Sequence, residues 1–305
     1  MRIFETANID FLSRRRTGYI FSSILLAIAI LGLLYPGLEA GIDFKGGTEF
    51  VVQTAEPIRP SEARAPLAAA LGDGAEVKEY GDPRTLLVRT ATGGTSDSLQ
   101  AQVLSALSGA FAGSNPVIQR VDSVGPRIAS DLKSKAILLV IFSLAVILIY
   151  IFVRFDWRFA VGAVVCLAHD IIVVLGIFAL FHNFTPFSLQ IDQAIIAALL
   201  TIVGYSINDT VVVYDRIREY TSLFKTEAFP IVANRAINTT LSRTLLTSGT
   251  TLLTVFVLFL FGGETLRGFS LALLIGITLG TYSSIFVASP LVVELRERYA
   301  PARRR

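Results

Sequence analysis

The stretch LQIDQAIIAALLTIVGYSINDTVVVYDRIREY, residues 189–220, is apolar over most of its length and carries Asn208-Asp209 before its charged end. Its length and composition predict a helix that crosses the hydrocarbon of a bilayer. A carboxylate at the bilayer centre costs about 2.5 kcal/mol or more, and is usually there for function. Asp209 is therefore the first candidate for a working residue. Arg243, at the start of the next apolar run, is its candidate partner.

The composition around this stretch is that of an integral membrane protein. Of the 305 residues, 53% are hydrophobic and 17% are charged, against about 45–50% and about 25% in a soluble domain. The net charge of +3 comes from basic residues beside apolar runs. That placement favours membrane orientation over nucleic-acid binding. The single cysteine, Cys166, excludes an internal disulfide.

Six apolar runs have about the length that spans a bilayer. The first covers residues 17–36 and follows Arg14-Arg15-Arg16. It is longer than the apolar core of a signal peptide and lacks a small-x-small cleavage site, so an uncleaved helix is favoured. The other five runs are about 136–153, 159–181, 189–214, 241–261 and 268–293.

The basic residues predict the orientation of these six helices. Connection 182–187 carries no Lys or Arg, and connection 262–267 carries only Arg267. By the positive-inside rule, both termini are predicted to be cytoplasmic and segment 37–133 to be outside. The segments predicted to face the cytoplasm are 1–16, the Arg154–Arg158 turn, the long connection 215–240 and the tail 296–305.

Connection 215–240 contains EAFPIVANRAI, which looks amphipathic. It predicts a short helix lying at the membrane interface. Two roles stay open for it: a surface helix that ties two spans together, or a docking surface for a cytoplasmic partner.

Segment 37–133 is polar and long enough for its own domain. Its pattern predicts the order βαββαβ, which is that of a ferredoxin-like α+β domain. The fold class is thus a mainly α membrane protein with six transmembrane helices and one ferredoxin-like domain between the first two. The predicted elements are a strand within 42–53, a helix 61–71 capped by Ser61, a strand 77–80, a turn 81–83, a strand 85–90, a helix 96–111 and a strand 115–121.

No soluble-enzyme site is visible in the sequence. It has no GxxxxGK[ST] phosphate loop and no Cys/His cluster at metal-ligand spacing. His169 and His182 are the only histidines, and neither has the context of a catalytic triad. The sequence therefore predicts neither an enzyme nor a metal or organic cofactor.

Asp209 is predicted to face a partly polar seam. Ala198, Ile202, Tyr205 and Ser206 lie on the same side of its helix. In the next span, the residues Arg243, Thr247, Thr250 and Thr254 also form one stripe. The two helices are antiparallel and carry their charges toward the same end, so Asp209 and Arg243 are predicted to pair at similar depth.

Such a pair is a plausible proton switch, because burial disfavours a charged carboxyl group and a nearby positive charge favours it. A static buried ion pair, or a hydrated Asp near the interface, is the alternative. Asn208, Ser206, Thr247 and Thr250 are the predicted supporting residues.

His169-Asp170 adds two more polar groups near the middle of a span. Adjacent residues point about 100° apart on a helix, so one is expected in the seam and the other elsewhere. A structural pair and a relay both remain open. In the last span, Gly276–Gly280 forms a GxxxG motif, for which close helix packing is the expectation.

Two motifs resemble a known family. GIDFKGGTEF, residues 41–50, resembles the signature shared by the SecD/SecF protein-export family, and contains Gly41, Asp43, Gly46 and Gly47. VGYSINDTVVVYDRIRE, residues 203–219, is similar to the fourth-span motif of the SecF branch. From the residues alone, the glycines predict a tight or left-handed backbone beside the first span, a structural hinge more than a ligand site.

The resemblance covers essentially the whole chain and implies its cellular location and its partners. The family belongs to the resistance-nodulation-division superfamily of proton-driven machines. It implies a bacterial cytoplasmic membrane, a SecD partner, a SecYEG channel, a SecA motor, YajC as a further partner, and an unfolded preprotein as the cargo. It also implies that Asp209 and Arg243 belong to the proton pathway, and that SecD supplies a further acid.

The hypothesis is therefore an accessory subunit that uses proton motive force to assist late steps of preprotein export. The coupling ion stays open between H⁺ and Na⁺, since hydroxyl and carboxylate oxygens also bind sodium. Two other functions remain: an exporter of small molecules or lipids from the same superfamily, and a purely structural scaffold for the partner complexes.

Overall fold

The computed structural model describes residues 8–72, 75–91, 93–185 and 187–299. The ends of the expected cytoplasmic segments, 1–7 and 300–305, lie outside the described residues. Within the described chain, six helices are long and apolar enough to cross a membrane, as predicted. They are α1 (Arg15–Leu34), α5 (Pro126–Arg154), α6 (Trp157–Phe181), α7 (Gln193–Leu223), α8 (Phe229–Phe261) and the last span, which joins α9 (Glu264–Ser283) to α10 (Ser289–Arg298) through a π-helical turn, Ser284–Ala288.

A small α+β domain lies between α1 and α5, and its topology confirms the ferredoxin-like prediction. After a single-turn helix, α2 (Ile42–Lys45), the chain forms one antiparallel sheet in the spatial order β2-β3-β1-β4. Phe50, Leu67 and Val103 belong to the core between the sheet and its two helices. The elements are β1 (Gly47–Gln53), α3 (Pro60–Leu71), β2 (Glu76–Tyr80), β3 (Asp82–Thr90), α4 (Ser96–Ala110) and β4 (Val117–Val124).

The strand predicted within 42–53 is present as β1, which begins at Gly47 because Gly46 (φ 76°) ends α2 and Gly47 (φ 122°) turns the chain into the strand. The predicted cap is wrong: Ser61 is not the cap of α3. The helix begins one residue earlier at Pro60, whose fixed φ suits a first helical position, and no side chain caps it.

The membrane helices extend beyond their apolar runs. α5 begins at Pro126, so the domain limit expected at 133 falls inside a helix. Connection 215–240 is almost entirely helical, because α7 continues to Leu223 and α8 begins at Phe229. The expected interfacial helix is the first part of α8. Val232, Ala233, Ala236 and Ile237 are buried there, so the apolar face of this segment packs against the bundle.

The domain is joined to the start of α7 by backbone pairing. The Gly41 amide donates to the Ile191 carbonyl at 2.8 Å, and the Ile191 amide donates to the Glu39 carbonyl at 2.7 Å. These bonds make a parallel bridge between Ala40 and Ile191. The segment that follows α1 is therefore fixed to the helix that carries Asp209.

Candidate functional site

Asp209 lies where α7, α8 and α9 meet, and its side chain is buried. Its Oδ2 accepts a hydrogen bond from Ser248 Oγ of α8 at 3.1 Å, and Thr281 Oγ1 of α9 lies 3.4 Å away. Thr281 Oγ1 is closer to Ser248 Oγ, at 2.8 Å. The Ile277 carbonyl, 3.0 Å from Thr281 Oγ1, is a competing acceptor. Since a hydroxyl carries one proton, the shorter contact favours a chain in which Thr281 donates to Ser248 and Ser248 donates to Asp209.

The predicted ion pair between Asp209 and Arg243 is absent from the described residues. Arg243 is exposed on the surface of α8, close enough for a Coulomb interaction with Asp209 but beyond ion-pair distance. The reason is the rotation of α8, whose buried face carries Leu241, Thr244 and Ser248. Adjacent residues differ by about 100° on a helix, so Arg243 points away when Thr244 points inward.

The predicted threonine stripe lies on the same exposed face of α8 as Arg243. Thr247, Thr250 and Thr254 are exposed, and their hydroxyls donate to carbonyls of their own helix. Asn208, also predicted to support the site, is exposed on α7. These residues therefore line the outer surface of the bundle and do not contact the buried carboxylate.

The expected polar face of α7 is present. Ala198, Ile202 and Ser206 are buried with Asp209, while Tyr205 is half-buried with its hydroxyl 3.3 Å from that of Thr251. Ser206, however, turns to a different acid. Its hydroxyl donates to Asp170 Oδ2 at 2.7 Å.

Asp170 is the centre of a second buried polar cluster, on α6. Its Oδ2 also accepts from Ser283 Oγ of α9 at 2.8 Å, and its Oδ1 lies 2.9 Å from His169 Nδ1. The prediction that His169 and Asp170 bond in different places is wrong, because the histidine ring folds back onto its neighbour. His169 Nε2 is buried and has no hydrogen-bond partner in the described chain.

Two helices, α7 and α9, contribute residues to both clusters. α7 carries Ser206 and Asp209 one turn apart, and α9 carries Thr281 and Ser283 two residues apart. Close packing makes this possible: a Cβ on Gly276 would overlap Ile202, and a Cβ on Gly280 would come within 3.0 Å of Ser206 Cβ. The GxxxG motif of α9 is thus the packing surface that was expected, and it brings the hydroxyls of α9 to the two acids.

Sequence reasoning missed Ser248, Thr281 and Ser283. A signal for Ser248 exists, since Leu241, Thr244 and Ser248 recur at helical spacing on α8. Thr281 and Ser283 directly follow the GxxxG motif, where small residues mark a tightly packed face. No three His, Cys, Asp or Glu side chains converge within the described ranges in a way that could hold a metal ion.

The signature glycines and Asp43 sit at the junction between the domain and α7. Asp43 Oδ2 accepts from the Gln193 amide at 3.1 Å, at the first turn of α7. Gly41 is tightly packed, because a Cβ there would lie 3.3 Å from Asp192 Cβ and 3.3 Å from the Ile191 carbonyl oxygen. The left-handed backbone expected in this motif is present at Gly46 and Gly47.

A carboxylate completes this junction. Glu39 accepts from Lys78 Nζ of β2 at 2.6 Å and from Gln190 Nε2 at 2.7 Å. Burial by itself raises the pKa of Glu39, but the hydrogen bonds with Lys78, Glu76 and Gln190 and the charge of Lys78 outweigh it and hold the pKa at about 2. The pKa of Glu76 is raised by burial and by the neighbouring Glu39.

Three comparisons place the chain among known proteins. Residues 103–298 match the family model described as protein export membrane protein SecD/SecF, C-terminal. The chain is 53% identical over its whole length to a protein translocase subunit SecF of Rhodothermus marinus, covering 98% of it. It is 38% identical to one of Escherichia coli O157:H7, covering 94% of this chain and 87% of that one.

The architecture also matches solved structures. The crystal structure of SecDF from Thermus thermophilus superimposes with a TM-score of 0.85 at 35% identity, and a SecDF structure in a super-membrane-facing form does so with 0.69 at 36%. The matches cover 98% and 96% of this chain. The chain spans only 40% and 39% of those longer SecDF chains.

The fold and the buried carboxylates define a multi-pass membrane protein with a ferredoxin-like domain between its first two spans. The relatives define the family. The chain belongs to the SecD/SecF family of protein-export membrane proteins and, within it, to the SecF subunits of the protein translocase.

Proposed function

We propose that the chain works with SecD as a unit driven by proton motive force. This unit assists late steps of preprotein export through SecYEG, after the action of SecA. The observation that carries the proposal is Asp209, a buried carboxylate inside a membrane span that contacts hydroxyls from two other helices. Buried intramembrane carboxylates with polar contacts of this kind mark proton relays in pumps and transporters.

The proposed orientation in the membrane and the proposed partners rest on the position of basic residues and on the similar proteins. By the positive-inside rule, a cytoplasmic location of both termini in a bacterial cell is supported by four arginines at or near the ends of spans away from the small domain: Arg15, Arg154, Arg235 and Arg298. The similar SecDF of Thermus thermophilus, described as a translocon-associated membrane protein, supports SecD and SecYEG as partners. YajC is a further candidate partner.

Arg243 supports a proton path at an interface between chains. It is an exposed charge near the cytoplasmic side of a span, and no carboxylate in the described residues lies within ion-pair distance. Exposure to lipid is expensive for a charged side chain, so a partner surface is needed to cover it. SecD is the proposed partner, and an acid of SecD is the proposed counter-charge.

The proposed mechanism changes the charge of Asp209. When ionised, the carboxylate accepts from Ser248 and attracts Arg243; when protonated, it keeps its contact with Ser248 and the attraction to Arg243 is lost. A change at this point shifts α7 relative to α8. Transfer of one proton supplies about 2.3 kcal/mol per 100 mV, enough to reorder a few hydrogen bonds.

The junction transmits this shift to the small domain. α7 begins at the backbone pairing between Gly41 and Ile191 and at the Asp43 contact with Gln193. Movement of α7 therefore pulls directly on the segment that leads into β1. In the proposal, the domain grips the preprotein and moves with α7.

The test is Asp209→Asn in inverted membrane vesicles that hold SecD and SecYEG. Export driven by an imposed proton gradient is expected to fall to the level seen without the gradient, while SecA-driven export persists. The matched control is Glu219→Gln, which removes a carboxylate from the solvated end of the same helix, where it pairs with Arg216. Unchanged proton-driven export in the Asp209→Asn vesicles contradicts the proposal.

Two arms of this test separate the remaining alternatives. An imposed sodium gradient in place of the proton gradient identifies the coupling ion. Recovery of SecD with the Asp209→Asn protein separates the relay from a scaffold: a scaffold predicts normal recovery and normal export. An exporter of small molecules or lipids predicts that preprotein export is insensitive to the substitution.

A further inference from the structure

An apolar groove of about 680 Å³ opens on the side of the bundle next to the small domain. One wall is α5, and the other is formed by the segment after α1, by α2 and by the start of α7. The groove has almost no polar surface except at its mouth. The residues of the second wall are Leu38, Ala40, Phe44, Ile191 and Ile196.

α5 presents one continuous stripe to this groove. The stripe recurs at spacings of three and four residues, which is one face of a helix. Its outermost residue is a lysine and the others are apolar. The stripe consists of Lys133, Ala136, Ile137, Val140 and Ile141.

Two lysines stand at the mouth of the groove. Lys133 has no carboxylate within ion-pair distance in the described chain, and Lys45, at the end of α2, is 3.8 Å from Glu76. Lys45 lies directly before the domain, and Lys133 directly before the apolar run of α5. Both charges therefore lie at the level of lipid headgroups, with the apolar floor below them in the hydrocarbon.

The depth of the groove matches one leaflet. The lining residues of α5 run from Lys133 to Ile141, which is a rise of about 12 Å along the helix. One leaflet contributes about half of the roughly 30 Å hydrocarbon core. A partner helix would cross both leaflets, whereas this groove ends near the middle and is closed at its head by two positive charges.

We propose that the groove is a binding site for an anionic phospholipid of the leaflet next to the domain. The headgroup phosphate binds Lys133 and Lys45, and one acyl chain lies along the apolar stripe of α5. Lys133 is the stronger contributor, because Lys45 is shared with Glu76. The bound lipid fills the gap between α5 and the junction, so this site does not depend on the proton pathway at Asp209.

The test uses the full chain, purified in detergent and reconstituted into nanodiscs with spin-labelled phosphatidylglycerol or phosphatidylcholine. The motionally restricted fraction measures the bound lipid. The unsubstituted chain is expected to prefer phosphatidylglycerol. In Lys133→Gln this preference is expected to fall about fivefold, because one lysine near a membrane surface contributes about that much to the binding of an anionic lipid. Lys135→Gln is the matched control, because Lys135 is exposed on α5 outside the groove.

A second pair of variants tests the apolar floor. Ala136→Trp fills the groove and is expected to abolish the preference for phosphatidylglycerol, whereas Ala145→Trp, on the exposed surface of the same helix, is expected to retain it. Equal binding of the two lipids by the unsubstituted chain overturns the proposal, as does an equal loss in Lys133→Gln and Lys135→Gln. A third outcome also overturns the proposal. If Ala136→Trp leaves lipid binding unchanged but, in membranes that also contain SecD, no longer co-purifies with SecD, the groove binds a partner helix instead.

Discussion

One contact between the small domain and the membrane helices is the charged junction at Glu39, and Glu39→Gln tests it. Glu39 joins Lys78 of the domain to Gln190, which directly precedes the parallel bridge at Ile191. The substitution keeps the size of the side chain and removes its charge. We expect it to loosen the domain from α7 without unfolding either part.

The magnitude follows from the pKa of Glu39. The difference between its ordinary value of 4.5 and about 2 corresponds to roughly 3 kcal/mol at about 1.36 kcal/mol per pKa unit. Water at the membrane surface screens part of this, so we expect the variant to lose about 1–2 kcal/mol of docking free energy. That is a factor of about 5–30 in the population of the undocked domain.

Amide hydrogen exchange measures this population directly, because the Gly41 and Ile191 amides both donate across the junction. Their exchange is expected to quicken about 5–30-fold in Glu39→Gln, while exchange in the domain core stays unchanged. Glu62→Gln is the control: it removes a carboxylate from an exposed pair with Arg59 on α3, which contributes little.

The pH dependence of the same exchange has a defined sign. The docked state has the lower pKa at Glu39, so its stabilisation is complete above about pH 4.5 and is lost as the pH falls toward 2. Wild-type protein should therefore undock progressively in that window, measured relative to intrinsic exchange, and Glu39→Gln should not. Equal protection of Gly41 in both proteins at neutral pH would refute the reasoning.

Two further predictions concern the interior of the bundle. Ser248→Ala removes the hydroxyl that donates to the Asp209 carboxylate, and we expect about a tenfold loss of proton-driven export. Thr247→Ala is the control and should have no effect, because the Thr247 hydroxyl bonds within its own helix. Gly276→Leu forces a side chain into the neighbouring helix and should lower the free energy of unfolding by about 1–3 kcal/mol in detergent, whereas Gly249→Leu, which faces open space, should not.

The architecture was largely predictable from local patterns. Apolar length identified the six spans, and alternation with turn residues identified the βαββαβ order. What failed were the limits of the helices. Residues 215–240 are polar enough to suggest a loop, yet buried side chains such as Val232 and Ile237 continue the helix into the bundle. Polarity along the chain cannot show that neighbouring helices will cover such a segment.

The site was predictable in its acids but not in their contacts. A carboxylate in a membrane span stands out at once, so Asp209 and Asp170 were identified from sequence. The partner of Asp209 was not, because the choice between Arg243 and Ser248 depends on the rotation of α8. The two residues lie on the same helix, and only packing decides which side faces inward.

The amino-acid sequence alone determined that this protein has six membrane spans and that two of them carry acidic residues. Both properties can be recognised locally, because the length of an apolar run and the presence of a charged residue in it do not depend on the rest of the fold. Only the tertiary structure decided the rest: that Thr281 and Ser248 lead to Asp209, that His169 folds onto Asp170, and that the domain is fixed to α7 through Gly41. Those contacts depend on how far each helix is rotated and how closely it packs, and these are properties of the assembled bundle.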